Sequence, residues 1–184
     1  SFLIGSELLL PSPWAVVRSF CGLAQTTEFY RSILHTLLRV AAGFAAGMAA
    51  GLLAGTLTAF SRAADVLLTP LKNIIKATPV TSFIVLILLY FSSNVTPSAV
   101  AFLAVLPICW SNVCEGLRQT DKKMTELAHA YAFGRKKTLR EIYFPAVRPY
   151  LSAAATTGLG FAWKSCVAAE VIALSKNSVG RALY

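Results

Sequence analysis

The feature that most constrains this chain is the segment 40–60, which holds 21 consecutive residues without a charged side chain. A helix needs about 20 mostly apolar residues to cross a hydrocarbon core about 30 Å thick. The segment therefore predicts a membrane-spanning helix that begins near Ser32 and ends near Phe60.

The composition supports a membrane location. Hydrophobic residues make up 56% of the chain and charged residues only 14%, whereas soluble domains carry about 25% charged residues. So few charges cannot easily cover the surface of a soluble protein of this length. A disordered chain and a nucleic-acid-binding domain are disfavoured for the same reason.

Glycines recur at every fourth position of the first predicted span, and so lie on one face of the helix. Small residues on such a face let a second helix approach closely in a membrane, where lipid removes the hydrophobic drive for helix association. We predict a helix-packing face at Gly43, Gly47, Gly51 and Gly55.

Three further apolar stretches predict an all-α, polytopic transmembrane helix bundle that forms a single domain over residues 1–184. The second span opens with an amphipathic segment at 66–76 and is broken at Pro79, and the third is kinked near Pro107. Spans are expected at about residues 32–60, 66–91, 98–114 and 150–174.

The basic residues indicate the orientation of the spans. Of the 17 Lys and Arg residues, eight lie within 115–148, and cytoplasmic loops of membrane proteins are enriched in such residues. We therefore place a long loop at 115–149 in the cytoplasm. The alternation of sides then puts 11 cations inside against four outside, with both ends of the chain outside.

No catalytic set is recognisable. The motifs HExxH, GxSxG and GxxxxGK[ST] are absent from the sequence, so the chain is predicted not to be an enzyme and not to bind ATP itself. His35 and Arg39 lie one helical turn apart, and we interpret them as a snorkelling pair that anchors the first span at the interface. The cysteines show no CxxC pair, and we interpret them as packing residues without a disulfide or metal site.

The cytoplasmic loop carries the most informative pattern. Residues 125–133 predict a short, alanine-rich helix ended by Gly134, and residues 135–143 predict a second helix before Pro145 starts the approach to the last span. A short helix that projects from two spans and presents small side chains is suited to a groove on a partner protein.

This loop resembles the EAA loop of binding-protein-dependent ABC importer permeases. That pattern reads Glu-Ala-Ala, three residues, Gly, nine residues, Ile, one residue and Leu-Pro. The chain departs from it at Leu127 and Phe144, carries Ala132 at the glycine position, and has its nearest glycine, Gly134, two residues later. The matching residues are Glu126, Ala128, Ile142 and Pro145.

Other segments are similar to the nitrate/sulfonate/taurine-type permeases within this family. They are residues 10–13 with 15–16, residues 37–40 with 43–44, residues 169–170 and residues 178–180. Such permeases commonly have six spans and cytoplasmic ends, so the resemblance implies a type I importer permease fold that here lacks the first and last spans.

The resemblance implies a transport function in a bacterial plasma (inner) membrane, as a multi-pass protein. Two copies of the permease, a homodimer, would form the solute pathway within the lipid bilayer. Two cytoplasmic ATPase subunits would bind ATP and Mg, while this chain holds no cofactor. An extracytoplasmic binding protein would deliver a small anion, a sulfonate or a vitamin-precursor-like solute. The helix around residues 126–132 would be the coupling helix, with Ala128 and Ala132 permitting close seating on the ATPase.

Charged residues inside a span are costly and suggest function. Lys164 and Glu170 interrupt the last span, and we consider both as pathway residues. Glu170 has a simpler alternative, a solvated carboxylate near the outer end of its helix. Further candidates for a polar path are Thr81, Ser82 and Asn112.

Two other functions remain open at this stage. One is an integral membrane enzyme that acts on lipid, which would need clustered acids, histidines or a nucleophile that the spans scarcely contain. The other is a non-transporting scaffold or the ATPase-docking coupling subunit of a vitamin transporter.

Overall fold

The computed structural model describes Trp14, Gly22 and residues 26–182, and in this part of the chain every regular element is a helix. The predicted all-α class is confirmed. The similarity noted at residues 10–13 and 15–16 lies outside the described residues. The helices are α1 (Thr27–Phe60), α2 (Arg62–Ala77), α3 (Val80–Tyr90), α4 (Thr96–Arg118), α5 (Lys122–Ala130), α6 (Arg135–Thr138), α7 (Phe144–Ala173) and α8 (Val179–Ala182).

Helix α4 lies at the centre of the bundle, and α1 packs parallel to it. The four glycines of α1 are buried against α4. A Cβ atom added at Gly51 would lie 2.6 Å from the Cβ of Cys109 and 2.8 Å from the carbonyl oxygen of Leu106. Such distances are shorter than van der Waals contact, so the helices can lie this close only because glycine has no side chain.

Helix α7 runs antiparallel to α1 and α4 and packs against both of them. At one end Tyr150 packs over Gly116, and near the middle Gly158 faces Val105 and Phe44. The core between the three helices is made of small and β-branched side chains, among them Val105, Cys109, Val113, Ala154 and Cys166.

Helices α2 and α3 together form a broken segment, bent by 102°. The break falls at Pro79, as predicted, because proline cannot continue the helical hydrogen bonds of the preceding turn. No residue of α2 is buried, and its apolar side chains Leu67, Leu71 and Ile74 are exposed. An amphipathic helix of this kind lies at an interface rather than inside a bundle.

Two of the described helices, α1 and α4, are long and apolar enough to cross a membrane, and the bent pair α2–α3 is a third candidate. Helix α7 has 30 residues, which is long enough to span a bilayer. Its Ser, Thr, Gly and Lys residues make it less apolar than α1 and α4. The crossing by α7 therefore stays a prediction.

The second loop helix, predicted at 135–143, is not separate from the helix of the last span. Helix α6, a π-helical turn at Leu139–Tyr143 and α7 follow one another without a gap, and the N–H of Phe144 bonds to the carbonyl of Leu139 five residues earlier. Pro145 and Pro149 each lack an N–H donor. The wider π turn changes the hydrogen-bond register just before them, so the helix continues through both prolines.

Candidate functional site

The two ends of the bundle are held by different polar contacts. At the end where α4 leads into the basic loop, Arg118 forms an ion pair with Asp65 at 2.6 Å and donates to the carbonyl oxygen of Thr58 at 3.3 Å. The indole N–H of Trp110 donates to the Thr58 hydroxyl at 2.9 Å. These contacts tie α1, α2 and α4 together at the base from which the loop projects.

Helix α5 in this loop has well-defined ends. At its start, the carboxylate of Asp121 accepts a hydrogen bond from the N–H of Lys123 at 2.8 Å, which is the role of an N-cap residue. Glu126 lies in the second turn of α5 and is exposed. Among the described residues it makes no ion pair.

The end of α5 differs from the prediction. The helix stops at Ala130, Ala132 has a positive φ of 50°, and the N–H of Phe133 bonds to the carbonyl of Ala128 at 2.8 Å. This 6→1 bond after a left-handed residue is a Schellman motif, in which glycine is the preferred left-handed residue. Gly134, predicted to end the helix, has an ordinary φ of −66° and precedes α6.

Replacing Ala132 with glycine is expected to stabilise the end of α5. A left-handed conformation costs a residue with a Cβ about 1 kcal/mol or more, and a gain of 1 kcal/mol corresponds to about fivefold fewer openings. Amide hydrogen exchange of the full-length protein should therefore slow by up to about fivefold over residues 122–133. Gly134→Ala is the matched control, because Gly134 has a negative φ and no atom near its Cβ position. Equal slowing by both variants would contradict this assignment.

An exposed apolar stripe runs along α5 and onto Tyr131, the residue that follows its last turn. Met124, Leu127 and Tyr131 are 54%, 53% and 71% exposed, and their spacing of three and four residues places them on one helical stripe. Ala128, in contrast, is only 3% exposed. The rotation of α5 turns Ala128 inward in this structure, and its role in permitting close seating on the ATPase stays a prediction.

The remaining residues predicted for the loop lie after α5. Ile142 is half-buried within the π turn, and Pro145 is exposed at the start of α7. Ala132 and Gly134 are exposed in the connection between α5 and α6. The predicted loop residues thus lie along one continuous segment at the base of the bundle, but they do not converge on a single point.

A buried carboxylate organises the opposite end of the bundle. Glu170 on α7 is fully buried. The Thr36 hydroxyl lies 2.9 Å from each of its oxygens, Arg39 pairs with Oε1 at 2.9 Å, and the N–H of Gly180 donates to Oε2 at 3.2 Å. The alternative of a solvated carboxylate is wrong, and in this conformation Glu170 does not line an open path.

The interpretation of Arg39 as a snorkelling anchor is also wrong. Its side chain is 13% exposed and points into the bundle, where it bonds to Glu170, to Asn94 Oδ1 at 3.3 Å and to the carbonyl of Lys176 at 3.0 Å. His35 is half-buried and has no part in these contacts. Arg39 therefore links α1, the α3–α4 turn and the segment after α7.

The segment after α7 lies across this end of the bundle. The N–H of Val179 bonds to the Thr36 hydroxyl at 3.1 Å, and the Ser175 hydroxyl donates to the carbonyl of Ser93. A Cβ at Gly180 would lie 2.6 Å from the Cβ of Glu170. Glycine is therefore required at this position for the segment to approach α7 so closely. We call residues 175–180 the strap.

The polar residues predicted for a pathway are not brought together. Thr81 and Ser82 are exposed in the first turn of α3, and the Asn112 side chain bonds to the Ile108 carbonyl of its own helix at 2.9 Å. Lys164 is exposed and lines an open groove between α1 and α7. Of the predicted pathway residues, only Lys164 lines this groove.

The groove has a volume of about 880 Å³ and is mostly apolar. Within the described part of the chain, Lys164 is the only charged residue that lines it, and Thr156 contributes a hydroxyl. The other lining residues are Leu37, Val40, Ala41, Phe44, Ala155, Leu159, Gly160 and Trp163. A second groove, of about 280 Å³, lies at the α2–α3 bend and is also mostly apolar, with Lys76 on its wall.

Comparison with known proteins identifies the family to which the chain belongs. Residues 47–183 match the family described as binding-protein-dependent transport system inner membrane component. The match covers most of the chain, and the chain therefore belongs to this family of ABC transporter permeases. Its apolar helices and this membership place it in a membrane.

Individual relatives are transport permeases. The chain is 28% identical over 177 residues to a Bacillus subtilis (strain 168) protein named as an aliphatic sulfonates transport permease, SsuC, covering 95% of this chain and 63% of the relative. It is 31% identical over 177 residues to the Escherichia coli (strain K12) protein of the same name, covering 94% and 65%. It is 33% identical over 167 residues to the riboflavin transport system permease protein RibX of Chloroflexus aurantiacus, covering 90% and 62%. The chain thus spans just under two thirds of the length of these relatives.

Proposed function

We propose that the chain is the pathway-forming permease subunit of an ABC importer, and that α5 couples it to a cytoplasmic ATPase. The observation that carries this proposal is the exposed apolar stripe of Met124, Leu127 and Tyr131. The stripe lies on a capped helix at the basic end of a membrane bundle. A helix with such a stripe is suited to a groove on a protein partner.

The orientation follows from the charges. The basic loop, the α1–α2 turn and Arg118 lie at one end of the bundle, which we assign to the cytoplasm by the positive-inside rule. The strap and the α3–α4 turn then lie on the outer side, where an extracytoplasmic binding protein would deliver solute. A second copy of the permease would complete the pathway, and ATP and Mg would be bound by the ATPase pair alone.

The solutes that we propose for this chain form a narrower class than those of the permease family as a whole. The relatives are named for aliphatic sulfonates and for riboflavin, and we propose a small anion, a sulfonate or a vitamin-precursor-like molecule for this chain. In this proposal Glu170 and Arg39 do not contact solute. They hold the outer ends of α1 and α7 and the strap as a unit.

The experiment is a charge substitution in the apolar stripe. Leu127→Asp is expected to weaken association of the full-length permease with its ATPase by at least about 30-fold, because a central apolar contact of an interface contributes about 2 kcal/mol or more. Co-purification at graded ATPase concentrations measures the loss. The permease itself should remain in the membrane.

Lys123→Asp serves as the control for that variant. Lys123 is exposed on α5 one turn before Leu127. Its substitution changes the charge by more than Leu127→Asp does, so it tests whether added negative charge alone weakens the association. Near-parental association of Lys123→Asp together with loss in Leu127→Asp is the expected pair of results. Full association of Leu127→Asp would show that α5 does not dock on the ATPase.

A further inference from the structure

Lys164 lies well inside α7, on the wall of the open α1–α7 groove. Lys164 lies nine residues before the end of α7 at Ala173, which is about 13 Å along the helix at 1.5 Å per residue. Helical Cα–Cβ bonds tilt toward the helix N-terminus, so the Lys164 side chain starts out toward the bundle centre and away from the nearer, outer surface. A lysine at such a depth normally faces a protein or aqueous cavity.

Lys164 also lacks a partner within the described residues. The ion pairs found there join Arg39 with Glu170 and Arg118 with Asp65. The nearest acid along α7, Glu170, is buried and bonded on both carboxylate oxygens. Among the residues that the structure describes, the groove therefore presents one uncompensated positive charge and has no acid on its wall.

The rest of the groove wall is suited to an apolar group. Leu37, Leu159 and Trp163 are 46%, 52% and 40% exposed there, beside Val40 and Phe44. A ligand that complements this surface has an anionic head for Lys164 and an apolar chain for the aliphatic and aromatic wall. A hydrated inorganic anion would leave that wall unused, and an uncharged molecule would leave Lys164 without a counter-charge.

We propose that the α1–α7 groove is a solute-contacting site for an amphipathic anion, with Lys164 binding the anionic head and Leu159 and Trp163 contacting its apolar chain. This inference rests on the proposed function, which it narrows from small solutes in general to alkyl anions such as sulfonates. A flavin-like neutral ring system is disfavoured, since it has no group that requires the lysine.

The test uses a bromoalkyl anion, because bromine quenches indole fluorescence on contact. The full-length permease is placed in phosphatidylcholine nanodiscs, with and without its ATPase, and titrated with bromopropanesulfonate. The contribution of Trp163 is the difference between the parent and Trp163→Phe. We expect saturable quenching of Trp163, at least about tenfold weaker binding in Lys164→Met and near-parental binding in Lys164→Arg, because a charged hydrogen bond is lost only in the first variant.

Several results would overturn the inference. They are equal binding by Lys164→Met and the parent, equal quenching by uncharged bromopropanol, and disappearance of the quenching in phosphatidylglycerol nanodiscs, which would assign the groove to lipid headgroups. Methionine suits an apolar wall, and an unchanged thermal midpoint of Lys164→Met checks that the fold is kept.

Different results would reject the groove site and the importer function. ATP hydrolysis that responds to the binding protein, together with Lys164-independent quenching, rejects the groove site and keeps the importer. Lys164-dependent quenching without any ATPase association keeps the anion site and rejects the importer.

Discussion

The double variant Gly47→Leu, Gly51→Leu is expected to disrupt the bundle. A Cβ at Gly47 would lie 2.8 Å from the Cβ of Val105, and one at Gly51 would lie 2.6 Å from the Cβ of Cys109. These neighbours belong to the backbone or are rigidly attached to it, so they cannot turn aside. Each inserted side chain forces α1 and α4 apart, and overpacking typically costs about 1–3 kcal/mol per site.

Thermal unfolding in detergent, followed by size-exclusion chromatography of the full-length protein, measures this effect. The double variant should lose most of the monodisperse peak at temperatures where the parent keeps it. Gly160→Leu is the matched control for stability, because Gly160 is also within a long helix and has no atom within 4 Å of its Cβ position. If the double variant unfolds at the same temperature as Gly160→Leu, close α1–α4 packing is not what holds the bundle.

Removing the buried carboxylate is expected to have a comparable effect at the outer end. Glu170→Ala leaves Arg39 without its counter-charge and leaves Thr36 and the Gly180 N–H without their shared acceptor. Breaking a buried ion pair by removing one partner costs about 3–5 kcal/mol, because an uncompensated charge remains. The thermal midpoint of Glu170→Ala should therefore fall clearly below that of the parent.

A double-mutant cycle separates the interaction between Arg39 and Glu170 from the other hydrogen bonds that each of them makes. Arg39→Met, Glu170→Met should be more stable than Arg39→Met alone, because the double variant removes both charges. Hydrogen exchange should also increase across the strap in Glu170→Ala, since the Gly180 contact is lost. Strictly additive effects of the two substitutions would mean that Arg39 and Glu170 do not depend on each other in the folded protein.

The parts of this fold that sequence predicts are those determined by local periodicity. The spacing of Gly43 to Gly55 is enough to identify a packing face, because side chains four residues apart share one side of a helix. The break at Pro79 and the amphipathic character of α2 follow equally from residues within one or two turns.

The contacts that were missed depend on how helices are rotated relative to one another. Arg39 and Glu170 are 131 positions apart, and their pairing requires both to face the same interior. Arg39 and Glu170 are the one arginine and the one acid within the predicted spans 32–60 and 150–174, and this was the available signal. Asn94 and Thr36 gave no comparable signal, because polar residues of these types also occur singly at helix ends and on helix surfaces.

The prediction of the cytoplasmic loop was limited in the same way, because sequence does not determine how a helix is rotated against its neighbours. A short helix was predicted at 125–133, and α5 lies three residues earlier, at Lys122–Ala130. The tertiary placement of α5 decides that Leu127 points outward and Ala128 inward. The helix end was misplaced because a left-handed alanine is uncommon, whereas Gly134 offered a more usual stop. The continuous helix through Pro145 depends on a π turn that has no clear pattern in the sequence.

The measurement that tests the central claim most directly is ATP hydrolysis by the complete permease, co-purified with its ATPase and reconstituted in lipid, with and without the solute-loaded binding protein. We predict a stable complex in which hydrolysis rises when the loaded binding protein is added. A stable complex whose hydrolysis is indifferent to any binding protein would contradict the importer assignment and favour a coupling subunit of a vitamin transporter. Failure of the permease to associate with the ATPase would contradict the coupling role of α5 altogether.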